Sequence, residues 1–238
     1  MKMMQKSLLA LAIIATTALN VHAASTADIK VIGSIEPGTC TPTLAGGGTI
    51  DYGTMSPSVL NATGYTALPA NDINFTINCT AASKVAIKAL NKRPDTSPSG
   101  RDVFSGGGAD ITGITLLGVS GLNRVAGLGM QDKAKIGGYV VRINSASLQA
   151  DSTAVDTLLS RNSGSTWAAA GKETDMFGGI STARYYSVAA KGQTSPVAFT
   201  TLTGKFDVQA FINDRKNLDL TNIVNLDGLT TLELVYIP

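Results

Sequence analysis

The chain has 238 residues, 44% of them hydrophobic, with 19 Lys and Arg against 17 Asp and Glu, and it contains one histidine. That length suits one large or two small β domains, and the near balance of charge excludes the basic footprint of a nucleic-acid or anionic-lipid binder. The single histidine is His22, inside a segment expected to be removed, so histidine-based nucleophile triads and the usual histidine zinc sites are excluded with it.

The first 23 residues have the layout of an export signal. Lys2 and Lys6 form a positive start, Leu8 to Leu19 an apolar run of twelve positions, and Val21-His22-Ala23 a small-residue cleavage site before Ala24. A bilayer span needs close to 20 apolar residues, so the run is read as a signal peptide, residues 1–23. No later stretch is long or apolar enough to span, and the expected localisation is the periplasm, then the cell surface or the medium. Removal takes two of the nineteen cations and no acid, leaving seventeen of each sign in residues 24–238.

In that oxidising compartment Cys40 and Cys79, the only cysteines, are expected to form a disulfide. Closing a loop of about 40 residues stabilises by about 4 kcal/mol on the chain-entropy formula. The flanking residues alternate as half-buried strands do. Ile29, Val31 and Ile35 lead toward Cys40, and Ile73, Phe75, Ile77 and Cys79 alternate with Asn74, Thr76 and Asn78. Gly46-Gly47-Gly48 turns the chain into Thr49 to Tyr52. Lys84 to Leu90, with Val85, Ile87 and Ala89 on one side, is expected to pair as a hairpin with Ile73 to Thr80 across Ala81-Ala82-Ser83.

The middle is less regular. Asn91 to Asp110, rich in Pro, Ser and Gly, reads as a long surface loop. Ile111 to Val119 and Tyr139 to Ile143 read as strands joined by a glycine-rich connector, Gly121 to Gly138. Residues 144–183 read as an irregular insertion, with a helical turn or two between Ser147 and Leu159 from the spacing of Leu148, Val155, Leu158 and Leu159. Strand character returns at Tyr185 to Ala189, at Val197 to Leu202, and at Phe206, Val208, Ala210 and Ile212. After the turn signal Asp227-Gly228, the chain ends in Leu229 to Ile237, where Leu232, Leu234 and Tyr236 share a face. The fold class is all-β: one sandwich domain, residues 24–238, with insertions at about 91–110 and 144–183.

No catalytic constellation emerges. Carboxylates are scattered through turn-like segments without a close pair for acid/base work. Gly106-Gly107-Gly108 and Gly127-Leu128-Gly129 lack the helix and lysine of a phosphate loop and read as flexible turns. The expectation is no enzyme, no cofactor and no metal. Trp167, after Gly164-Ser165-Thr166, is either a packing anchor or a stacking platform for a glycan. Asn61, Asn74 and Asn78 each begin a glycosylation sequon, two of them within the best-marked strand, as chance in a Thr-rich strand would place them.

The ordered set Cys40, Asp51-Tyr52-Gly53, Leu60, Gly64, the alternating Ile73 to Cys79 strand and a C-terminal strand ending near a tyrosine resembles the pilin subunits of Gram-negative chaperone-usher fimbriae. It is more closely similar to an uncharacterised family of exported fimbrial-like proteins, through Ile35-Glu36-Pro37 before Cys40-Thr41-Pro42 and Leu226-Asp227-Gly228 before the final strand. The likeness covers Ile29 to Leu90 and Phe199 to Pro238.

That resemblance implies an immunoglobulin-like, pilin-like sandwich lacking its last strand, with a hydrophobic groove along one edge. A periplasmic pilus chaperone, and later another fimbrial subunit, would fill the groove with a strand. Leu232, Leu234 and Tyr236 would line that edge, and the Pro238 carboxylate would be gripped by basic residues of the chaperone. A closed sandwich is the alternative. Pilins carry tyrosine at the penultimate position, where this chain has Ile237 and places Tyr236 one residue earlier, and a one-residue slip exchanges the faces of a strand. Two readings of the N-terminus stand open. Ile29 to Ile35 is the domain's own first strand, in which case the chain is a tip subunit or a self-complete protein. Otherwise Ile29, Val31 and Ile35 are side chains donated to a neighbour. The function implied is a non-catalytic fimbrial or fimbrial-like surface subunit; the other candidate is a soluble periplasmic or secreted β-sandwich that binds a ligand or glycan around Trp167.

Overall fold

The computed structural model describes residues 27–34, 38–102, 106–172, 174–178 and 182–238. The chain divides into two units, residues 1–36 and residues 37–238. The described part of the first, residues 27–34, has no strand and is exposed throughout, with Ile29 93% and Val31 91% accessible. The expected first strand is therefore absent there; Ile35 lies outside the described residues.

The second unit is built from strands and short 3-10 turns. In chain order the strands are β1 (Cys40–Leu44), β2 (Thr66–Ser83), β3 (Val85–Asn91), β4 (Ala109–Ile111), β5 (Asn123–Gly127), β6 (Met130–Gln131), β7 (Ala134–Lys135) and β8 (Gly137–Ile143). They continue with β9 (Gln149–Ala150), β10 (Thr153–Ala154), β11 (Asp156–Ser160), β12 (Ala168–Ala169), β13 (Tyr185–Ala189), β14 (Phe199–Ile212) and β15 (Thr230–Tyr236). One sheet runs β1-β2-β14-β8-β5-β4, with the β9–β10 hairpin attached to β14. The other large sheet runs β12-β11-β13-β3-β15, and β6 and β7 pair with each other as a separate two-stranded sheet. All the pairings are antiparallel. The all-β sandwich expected from the alternating runs is what forms.

The main core lies between the two sheets. Ile73, Phe75 and Ile77 of β2 and Leu202, Phe206 and Val208 of β14 meet Val85 and Ile87 of β3 and Tyr186 and Val188 of β13. Phe75 and Phe206 stack with ring centroids 4.5 Å apart. Alternation in β2 puts its polar residues outside, where Thr76 stands opposite Thr43 and Thr203, and Asn78 opposite Thr41 and Thr201. Cys40 faces Cys79 in this register and the two form the expected disulfide, fixing the short β1 to the long β2.

A second, smaller core covers the outer face of the first sheet. Phe211 of β14 and Val140 of β8 are fully buried there beneath Ile111, Ile114, Leu116 and Val125. Arg142 of β8 crosses the same layer, pairing with Asp175 and with the side chain of Asn123 and donating to the Leu117 carbonyl at 3.2 Å. Asp175 in turn accepts at its carbonyl from Tyr186 (2.7 Å) and Arg184 (3.1 Å). An ion pair this enclosed needs its remaining protons matched, and for Arg142 the Leu116 and Leu117 carbonyls and the Asn123 amide oxygen do that.

Several local expectations fail for identifiable reasons. The two runs flanking Ala81-Ala82-Ser83 do not pair as a hairpin: β2 and β3 belong to different sheets, so that link is a sheet-to-sheet crossing. The spacing of Leu148, Val155, Leu158 and Leu159 does not mark a helix. It comes from a tight β9–β10 hairpin, with Asp151 and Ser152 at positive φ, followed by β11, whose Leu158 and Leu159 are buried on opposite sides of the sheet. Within residues 144–183, expected to be irregular, β11 is thus a full member of the second sheet. Thr49 to Tyr52 forms no strand, and Ile111 to Val119 is strand only as far as Ile111. Gly127 is a packing position and not a flexible turn: a Cβ there would stand 2.0 Å from Thr96 Oγ1.

Candidate functional site: an open cleft beside the last strand

The geometry around β15 begins with its hydrogen bonds. β15 pairs with β3 alone and is an edge of its sheet. Lys92 N–H donates to the Leu229 carbonyl, and Ile237 N–H to the Lys84 carbonyl. Antiparallel strands alternate bonded and non-bonded pairs, so odd-numbered residues of β15 turn their backbone groups toward β3. The N–H and C=O groups of Thr230, Leu232, Leu234 and Tyr236 therefore face the free edge, while the Leu232 and Leu234 side chains pack on the core. Nothing in β15 is fully buried, although the floor beside it is.

Across from β15 stands β1, the edge of the other sheet. Thr80 N–H donates to the Thr39 carbonyl at 2.9 Å, so Thr39, Thr41 and Thr43 bond to β2 and Cys40, Pro42 and Leu44 turn outward. This edge is blunt. Cys40 N–H is already taken by the Tyr236 hydroxyl at 2.7 Å, and Pro42 has no N–H. A strand laid between the two edges would form its ladder with β15, while β1 supplies a wall. The Tyr236 phenol joins the edges at one end, and beyond it they part.

Between them lies a cleft of about 430 Å³. Its floor is the inner face of the first sheet, Ile73, Val141, Phe206 and Val208, and its walls are Leu44 with Gly48 on one side and Leu232 with Gly228 on the other. None of the residues lining it is charged. A second cleft of about 460 Å³ runs between residues 50–60 and 218–226, sharing Ile50, Tyr52 and Leu226 with the first, and its rim carries the exposed Val59 and Ile223. Tyr52 sits at the junction; its hydroxyl accepts from Ala210 N–H at 3.1 Å where the β14 register shifts.

The turn that opens β15 is clamped. Arg93 donates to both carboxylate oxygens of Asp227, at 2.8 and 2.6 Å, and Asp227 N–H donates to the Leu128 carbonyl. The Arg93–Asp227 side-chain hydrogen bond holds the Asp227 carboxyl below the usual carboxylate range and raises the Arg93 guanidinium. Tyr139 shares a 2.6 Å hydrogen bond with Thr230, and burial pushes its phenol up to about 12. Gly228 is required by this packing, since a Cβ there would stand 2.7 Å from the Tyr139 ring.

The residues singled out in the sequence fall as follows. Leu232, Leu234 and Tyr236 alternate along the last strand and so share a face; Leu232 lines the cleft, Leu234 packs on the core beyond its lining, and Tyr236 reaches Cys40 N–H. The Pro238 carbonyl oxygen is 3.4 Å from Lys84 Nζ of the chain itself. Trp167 is half-buried in the β11–β12 connection, over Gly164, at the opposite edge of the second sheet from β15. The floor and far wall, Tyr139, Phe206 and Gly48 among them, were missed because they read as ordinary core or turn residues. The nearest signal was Asp51-Tyr52-Gly53, where the Asp51 carboxylate accepts from Gly53 N–H at 2.7 Å and holds the turn bearing Tyr52. Among the described residues no group of three His, Cys, Asp or Glu could hold a metal, and no helix is long and apolar enough to cross a membrane.

Comparison with known proteins matches residues 29–140 to the family described as protein of unknown function, DUF1120. The uncharacterized protein YhcF of Escherichia coli (strain K12) is 30% identical, covering 92% of this chain and 94% of its own length. Protein GltF of the same organism is 30% identical over 96% of this chain and 94% of its own length. With the matched family region spanning β1 through most of β8 and likeness to two relatives running nearly end to end, the chain belongs to the DUF1120 family.

Proposed function

We propose that this protein is a non-catalytic, exported fimbrial or fimbrial-like surface subunit whose cleft accepts a β-strand from another polypeptide, first a periplasmic chaperone and then a neighbouring subunit. The observation that carries the reading is the uncharged cleft beside the unpaired edge of β15. Free N–H and C=O groups aligned next to open apolar floor are a template for an added strand, and in water they are an aggregation hazard unless covered. Each aliphatic side chain that an incoming strand buried fully would contribute about 1.5–3 kcal/mol, and the strand's main chain would pair with Thr230, Leu232, Leu234 and Tyr236.

The test is amide exchange on residues 24–238, produced in the periplasm with and without a co-expressed pilus chaperone. In the isolated monomer the Leu232 and Leu234 amides should exchange quickly, and in the chaperone complex they should be protected. Slow exchange at both positions in a monomer with no partner would mean that the edge is already covered, and the reading would fall.

A further inference from the structure

Tyr236 is 50% exposed, packs against neither buried core and lines neither cleft. Burial therefore does not account for where its ring sits, and its one polar contact does. The hydroxyl accepts from Cys40 N–H at 2.7 Å, and no other hydrogen bond joins β1 to β15 among the described residues. β1 is otherwise held from its far side, by the β2 ladder and the disulfide. Leu44 is as far along β1 from Cys40 as Leu232 is along β15 from Tyr236, and those two leucines wall the open cleft. A strand lying between the edges has space beside Leu232 and meets the phenol at Tyr236. Resting on the strand-addition reading above, we infer that Tyr236 determines the register of the added strand. Its phenol is the stop against which that strand ends, and its hydroxyl proton, which has no acceptor among the described residues, goes to a carbonyl of the strand.

A stop is needed because nothing else at the site fixes register. Ladder hydrogen bonds repeat every two residues, so a strand slid by two along β15 would keep its bonds and its inward face. The lining carries no charge to single out one position. Its phenols are engaged within the chain, Tyr52 with Ala210 N–H and Tyr139 with Thr230. At the far end the cleft runs on past Ile50, Tyr52 and Leu226 into the second cleft, so the obstacle stands at the Tyr236 end. It is itself fixed, since Tyr236 stands opposite Val85 in the β3–β15 register and Ile237 N–H donates to the Lys84 carbonyl.

The experiment uses residues 24–238 in complex with the pilus chaperone co-expressed in the test above, followed by amide NMR. In the parent complex the Leu232 and Leu234 amides should be protected and give a single set of signals, with Cys40 N–H as slow to exchange as in the free protein. Tyr236→Ala should split the β15 signals into two or more sets as the strand slides. Tyr236→Phe, which keeps the ring, should free the Cys40 amide and shorten the lifetime of the complex by about two- to tenfold. Thr201→Val removes a side-chain hydrogen bond to Asn78 on the outer face and should change neither the signals nor the lifetime; a change like that of the Tyr236 variants would reduce the effect to general stability and overturn the inference. Faster Cys40 exchange when the parent binds would show the phenol displaced by the strand. A single set of signals in Tyr236→Ala, or the parent lifetime in Tyr236→Phe, would show that register is set elsewhere. Each of these overturns the inference and leaves strand addition standing, whereas Leu232 and Leu234 unprotected in the parent complex would overturn both. Should Tyr236→Ala not fold, Tyr236→Phe decides alone.

Discussion

The central sheet treats its two faces differently. On β8, Val140 faces outward and Val141 inward; on β14, Phe211 faces outward and Ala210 inward. The outward pair is sealed at 0% exposure by the chain's own β4–β5 region, and the buried Arg142–Asp175 pair is completed by carbonyls and an amide. The inward pair is buried as well, Ala210 at 1% and Val141 at 7% exposure, and both residues line the cleft beside β15. The two faces differ in what lies beyond a buried layer: the chain's own β4–β5 region on one side, an uncharged concavity on the other. On the strand-addition reading proposed above, that concavity is the place of another strand.

The largest effect expected is on β1, whose Leu44 walls the open side. Replacing Cys40 and Cys79 by serine removes a cross-link spanning a sequence separation of 39, which should lower stability by about 4 kcal/mol in chemical denaturation. Because β1 has only five residues and one paired neighbour, it should detach first and widen the cleft. Loss of stability under about 1 kcal/mol would show that β1 is held by its ladder instead.

Next comes the sealed face against the open one. Phe211→Ala empties a fully enclosed site and should cost roughly 3–5 kcal/mol. Leu232→Ala, on a half-buried wall beside empty space, should cost about 1 kcal/mol in the isolated monomer, yet weaken strand capture far more than Phe211→Ala does at a temperature where both remain folded. Equal stability losses at the two positions would remove the distinction between the faces.

How much of this was legible follows the same division. The alternation of Ile73, Phe75 and Ile77 and of Phe206, Val208 and Ala210 identified the sandwich because a two-residue period directly reports a face. Leu232, Leu234 and Tyr236 could be grouped for the same reason. What periodicity does not carry is partnership: nothing in the run from Ile73 to Leu90 says that its two strands go to different sheets. The sealed flank was hidden because β8 is buried on both faces and its cover comes from Ile111 to Val119, which reads as one continuous strand, and from Val125 inside a glycine-rich connector. The cleft was hidden because a concavity leaves no residue pattern; Phe206, 2% exposed, reads as ordinary core although it lines the cleft.

The smallest effect separates the sides by acid. The carboxyls of Asp214, Asp219 and Asp227 are held below their ordinary 3.8, Asp214 chiefly by the Gly64 amide, Asp219 by the Thr221 hydroxyl and Asp227 by Arg93. All three lie in the segment that lines the clefts and leads into β15. A carboxyl depressed in the folded state contributes stability that is fully present above its unfolded value and is lost as pH falls through the folded one. Asp102, in the loop 91–102, goes the other way: burial raises its carboxyl, so folding gains there as pH falls through the raised value. Asp219 and Asp227 are exposed and Asp102 half-buried, with only Asp214 buried, so the effect is local and modest. Between about pH 4 and pH 2.5, amide protection, corrected for intrinsic rates, should fall in residues 213–230 while β8 and the centre of β14 keep theirs. A uniform fall across both sheets would show that the cleft side has no separate acid weakness, and that the clamp of Arg93 on Asp227 does not set the start of β15.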